Sequence, residues 1–120
     1  MLHHQLLKNR GILIITPEGP LGAKDFQELA AEVDPYIDER GQLAGVMVWT
    51  EDFPGWEDFG ALLAHLRFVR DHHRNIRKVA IVTDSGFASV LPRIVEHFVN
   101  ADIQDFPYQS RDAALAWLEA

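Results

Sequence analysis

Two rhythms alternate along the chain: short, nearly unbroken apolar runs, and longer stretches in which apolar residues return every three or four positions. The densest run spans residues 44–50, with Val46, Met47, Val48 and Trp49 in succession. A run of that length, rich in β-branched residues, predicts a central strand covered on both faces. An acidic aromatic turn follows, Glu51-Asp52-Phe53-Pro54-Gly55-Trp56. Pro54 presets φ for the second turn position and Gly55 accepts a positive φ at the third, as in a type II turn. From Glu57 to about Asp71, Phe59, Leu62, Leu63, Leu66 and Val69 fall on one face of a predicted helix. Glu57 and Asp58 in its first turn, and Arg67 and Arg70 in its last, complement the helix dipole.

The same reading covers the remaining chain. Residues 2–8 predict a strand, Asn9-Arg10-Gly11 a turn, and residues 12–16 a second strand ended by Pro17, the two pairing as an antiparallel hairpin. A helix is predicted over residues 23–39, with Phe26, Leu29, Ala30, Val33 and Ile37 on one face and Gly41 as its stop. Pro35 lies inside that pattern and is expected to kink or split it. A strand over residues 79–83 leads to Asp84-Ser85-Gly86, a cap and turn. Phe87, Val90, Leu91, Ile94, Val95 and Phe98 predict a further helix, interrupted or begun afresh at Pro92. A short strand over 102–106 and a helix from Ser110 to Leu118 complete the chain. A hairpin followed by alternating helices and strands implies an α/β domain with a mainly parallel sheet.

At 120 residues the chain is one domain by size and long enough for a real core. Its 48% hydrophobic and 24% charged residues are ordinary for a globular protein, and no apolar run approaches the roughly 18 residues of a membrane span. Cysteine is absent, which removes disulfides, thiolate nucleophiles and Cys-based metal sites. The N-terminus reads as neither a secretory signal nor a transit peptide, so a cytoplasmic location is expected. The net charge of −7 sits in residues 1–60, which hold eleven acids against four Lys/Arg; the second half balances. That acidity argues against nucleic acid as a partner, which needs a basic footprint.

The hairpin, the helix containing Pro35, the apolar strand, the turn Glu51 to Trp56 and the ending Ser110-Arg111-Asp112-Ala113-Ala114-Leu115-Ala116-Trp117-Leu118 together resemble the SpoIIAA-like family. That family is related in fold to the STAS domains of anti-sigma factor antagonists. The resemblance covers nearly the whole chain and implies a single small α/β domain, with a mixed sheet of about five strands, an N-terminal antiparallel hairpin and about four helices. The fold is also similar to that of lipid-carrying CRAL-TRIO domains, which implies apolar-ligand binding or membrane association by analogy. Regulatory STAS antagonists carry a phosphorylatable Ser or Thr after the central strand. Here residues 51–60 contain neither, so a phosphorylation switch at that place is not expected.

Five groups of residues invite a chemical reading. Phe53, Trp56, Phe59, Leu62, Leu63 and Leu66 either pack on the sheet, the usual fate of an apolar helix face, or line an apolar ligand site under a movable lid. Glu51, Asp52, Glu57 and Asp58 suit capping better than acid–base chemistry, and their spacing is not that of an EF-hand. The histidines at 3, 4, 65, 72, 73 and 97 show no metal-ligand spacing. Arg67, Arg70, Arg74, Arg77 and Lys78 form a basic run, either a solvated helix end or a contact for an anionic membrane or acidic partner. Ser85 and Ser89 lack a nucleophile elbow, and no phosphate-binding loop is present. The expectation is a binding domain with no catalytic residues, metal or cofactor. It takes a lipid or other apolar small molecule, with peripheral membrane contact. The alternative is a STAS-type interaction module that binds a protein partner or forms a homodimer.

Overall fold

The apolar runs form a single five-stranded sheet in the computed structural model, which describes residues 2–52, 55–84 and 101–120, less the side chains of Phe59 and Leu62. The strands lie in chain order: β1 (Leu2–Leu7), β2 (Ile12–Pro17), β3 (Leu43–Trp49), β4 (Ile76–Val82) and β5 (Asp102–Phe106). β1 runs antiparallel to β2 through the hairpin; every later pairing is parallel. Gly11 takes φ +70° in the hairpin turn, a value that an L side chain rarely adopts.

Parallel neighbours need a crossover, and helices α1 (Ala23–Arg40) and α2 (Phe59–His72) provide two of them on the same face of the sheet, packed against each other. Helix α3 (Arg111–Glu119) lies across β3 and β4 on the opposite face. Strand alternation then divides the core in two. Leu13, Ile15, Val46 and Val79 face α1 and α2, with Phe26, Leu29 and Val33. Ile12, Ile14, Met47, Ala80 and Val82 face Ala114 and Leu118 of α3. β3 is thus covered on both sides, as its unbroken apolar run predicts. Gly45 lets α3 approach this closely: a Cβ there would stand 2.7 Å from Leu118 Cδ2 and 3.1 Å from Leu118 Cβ.

Three expectations change. α1 runs unbroken through Pro35 and stops at Gly41, whose φ of +89° ends it while its N–H donates to Ile37 O. α2 starts at Phe59, not Glu57, because Asp58 is extended and caps the helix, accepting from the Ala61 N–H at 2.8 Å. Ser110 stands at the N-cap of α3, but its side chain makes no capping bond. The described residues contain three α-helices; the helix predicted over residues 87–98 lies outside them.

Candidate binding surface

The turn after β3 is tied down on three sides. The Thr50 hydroxyl donates to Asp52 O at 2.9 Å, and the Thr83 hydroxyl and Asp84 N–H both donate to Glu51 O. Gly55 takes φ +84°, the positive value expected of its turn position. Its carbonyl accepts from Leu21 N–H, and Leu21 O accepts from Glu57 N–H, so Trp56 forms a one-residue parallel bridge with Leu21 in the loop after β2.

From this anchor α2 presents an unexpected side to the sheet. Ala61 is fully buried, Ala64 and Phe68 pack on the α1 core, and His72 is buried. These inward positions, with His65, follow steps of three and four. They form a different stripe from the one the apolar count selects. On that other stripe Leu63 is half-buried and Leu66 is 56% exposed. Phe53 lies outside the described residues, as do the side chains of Phe59 and Leu62.

The inward stripe is held by a continuous row of rings. Trp56 Nε1–H donates to His65 Nδ1 at 3.1 Å. His65 stacks on Phe26 with centroids 4.7 Å apart, Phe26 meets Phe68 at 6.3 Å, and Phe68 stacks on His72 at 4.1 Å. His72 Nδ1 stands 2.7 Å from Phe68 O and its Nε2 2.6 Å from Asp34 Oδ1. Both partners are oxygen acceptors, and they hold the His72 ring at its two nitrogens. His65 is held differently. Burial lowers its pKa from 6.5 to about 4, so Nδ1 stays free to accept from Trp56. Its role, like that of His72 and Phe26, went unseen in sequence because each partner is remote along the chain. Among the described residues, then, the space between α2 and α1 is occupied by stacked side chains.

The basic run divides by strand alternation. Lys78 points to the α3 face, where its Nζ donates to Trp117 O at 3.0 Å and lies 5.2 Å from the indole centroid. Arg67, Arg70, Arg74 and Arg77 are exposed, Arg70 beside Asp71. Topology gathers other cations near the last two. The Asn75 side chain donates to Gly41 O, and Ala44 N–H donates to Gly11 O, which brings the ends of α1, α2 and the hairpin turn to one end of the sheet. Lys8, Arg10 and Arg40 therefore share that end, Arg10 paired with Glu119 at 3.0 Å.

A shallow groove of about 260 Å³ runs between β1 and α1, bordered by Leu6, Lys8, Glu32, Tyr36 and Arg40. None of the α2 residues lines it. Among the described residues no group of three His, Asp or Glu side chains could hold a metal ion, and no helix is long and apolar enough to cross a membrane.

Sheet order, hairpin and helix placement define an open α/β domain of the STAS type. The chain belongs to the SpoIIAA-like family, whose profile matches residues 12–119. It is similar along nearly its whole length to the crystal structure of an uncharacterised protein of the DUF3478 family with a SpoIIAA-like fold, from Shewanella loihica PV-4. The TM-score is 0.74 at 16% identity, covering 98% of this chain and 92% of that one. At that identity the likeness is one of fold. No curated protein matches the chain.

Proposed function

We propose that the chain acts by binding rather than catalysis, and that its working surface is the outer side of α2. One observation carries this reading: Leu66 is 56% exposed on a helix whose core contacts are made by other residues. Arg70 follows Leu66 by four positions and Arg67 follows Leu63 by four, so both exposed cations share the apolar side. An apolar ridge interleaved with arginines fits an amphipathic anionic partner, and an anionic lipid surface is its simplest form. The packed ring row beneath α2 favours contact at the surface over enclosure of a ligand under a lid. This is peripheral contact, with the cations on lipid headgroups and Leu66 at the acyl boundary.

The test is vesicle flotation with phosphatidylcholine alone and with added phosphatidylserine. Binding is expected only to the anionic vesicles, weakening as salt rises. Leu66→Gln should reduce it with an unchanged circular dichroism spectrum, because surface substitutions of this kind stay within about 0.5 kcal/mol in stability. Equal binding to both vesicle types, or none, overturns the reading. A second reading, a STAS-type protein-interaction module without the usual phosphorylation site, rests on the same exposed ridge, since an apolar surface patch also suits a protein partner.

A further inference from the structure

We propose that the free edge of β1 is a self-association edge, at which two copies of this chain pair antiparallel and continue the sheet from one into the other. The direction of the backbone groups follows from the hairpin turn. Gly11 O accepts from Ala44 N–H at 2.8 Å and Gly45 N–H at 3.2 Å, so it points toward β3. Across the trans peptide, Ile12 N–H points the other way, toward β1. Alternation then turns Ile12, Ile14 and Thr16 to β1, where the register places them opposite Leu7, Gln5 and His3. The N–H and C=O groups of Leu2, His4 and Leu6 are left facing outward, where no described strand pairs with them.

Natural sheets blunt such edges with Lys, Pro, bulges or inward charges. β1 has none of the first three: its register runs without a break from Leu2↔Pro17 to Leu7↔Ile12, and its sequence is LHHQLL. The opposite edge is guarded, since β5 carries exposed Asp102 and Asp105 within five residues. The β5 edge thus carries two carboxylates, whereas β1 carries none and two β1 edges bring leucines together.

A second copy fits this row better than an arbitrary strand because the row is self-complementary. With a two-fold axis at His4, Leu2 faces Leu6 of the second copy, His4 faces His4, and Leu6 faces Leu2. Every outward backbone group then finds a partner. Leu2 and Leu6 both pack with the α1 core, so the cross-strand pairs extend an existing apolar layer. His4 Nδ1 is buried near the axis without a hydrogen bond, 3.2 Å from Glu32 Oε2 but not aligned with it. The groove on the same side carries Lys8 and Arg40 with Glu32 and Glu39, so matching faces do not meet as one sign of charge.

Light scattering behind size exclusion, run over a concentration series, reads the mass of the unmodified chain, and backbone amide exchange reads the edge. The expected result is a concentration-dependent dimer. When about nine in ten chains are paired, the His4 and Leu6 amides should exchange about tenfold more slowly, because exchange then requires the unpaired fraction. His3, Gln5 and Leu7 amides, bonded to β2, should be protected at every concentration. His4→Pro removes the central outward N–H and no bond to β2, and should give a monomer with an unchanged spectrum. A monomer throughout the series overturns the proposal, whether or not an extended peptide binds the edge. So does a dimer whose His4 and Leu6 amides exchange at the monomer rate. The wild-type amides decide the matter should the proline variant fail to fold. Leu66→Gln, which tests the α2 surface, should leave the dimer intact, so the two readings fail separately.

Discussion

Acid should loosen the α1–α2 joint through His65 in particular. The ring is neutral in the folded protein because burial lowers its pKa from 6.5 to about 4, and Nδ1 accepts the Trp56 indole N–H. The unfolded chain, with an ordinary histidine, takes up a proton as pH falls through 6.5. Between 6.5 and about 4 the unfolded state therefore binds more protons than the native state, and stability declines toward acid. Below about 4 both states are protonated and the loss stops growing. At about 1.4 kcal/mol per pH unit the full loss is somewhat above ~3 kcal/mol, and residual solvent screening at a partly exposed residue brings it to about 2–3 kcal/mol. His65→Gln isolates this contribution, since a glutamine oxygen can accept from Trp56 but does not titrate. Urea unfolding followed by far-ultraviolet circular dichroism, at a series of pH values, gives both stabilities. Wild type should lose about 2–3 kcal/mol relative to the variant between pH 7 and pH 4. All other titrating groups cancel in that difference. A difference that stays flat with pH would refute the assignment of His65 as a neutral acceptor.

Two further substitutions probe the packing. Gly45→Val forces a side chain into the space held by Leu118, and overpacking of this kind should cost about 1–3 kcal/mol in denaturant unfolding; an unchanged midpoint would mean that α3 does not rest on β3. Asp34→Ala removes the acceptor 2.6 Å from His72 Nε2. Because the Asp34 side chain is itself 55% exposed, water can reach the vacated position, and the loss should fall near 1 kcal/mol, at the low end for an unpaired buried donor. A stability equal to wild type would show that the pair contributes nothing to the joint.

The elements of this protein are written locally. Short apolar runs rich in β-branched residues mark strands covered on both faces, and β2, β3 and the stretch from Val79 to Val82 of β4 are such runs. Gly11, Gly41 and Gly55 take positive φ where turn chemistry requires it, and the hairpin followed by alternation leads to the mixed sheet. Nearest-neighbour chemistry suffices for all of this. The roll of α2 is different. Its stripe of Leu63 and Leu66 is wholly apolar whereas that of Ala61, Ala64, His65, Phe68 and His72 carries two histidines, yet the second faces the core. Small alanines let the helix sit close to its neighbours. The two histidines become acceptable inside only because Trp56, Phe26 and Asp34 arrive there from other elements. Periodicity counts a histidine as polar, whereas a buried histidine with both nitrogens or its ring face satisfied packs like an apolar side chain. Strand alternation likewise separates Lys78 from Arg77, and topology joins Arg74 and Arg77 to Lys8 and Arg40. Among the described residues, local sequence by itself determined which segments are strand, helix and turn. Which side of α2 meets the core, and which of its residues are left exposed, depends on atoms brought from other parts of the chain and was decided only by the tertiary structure.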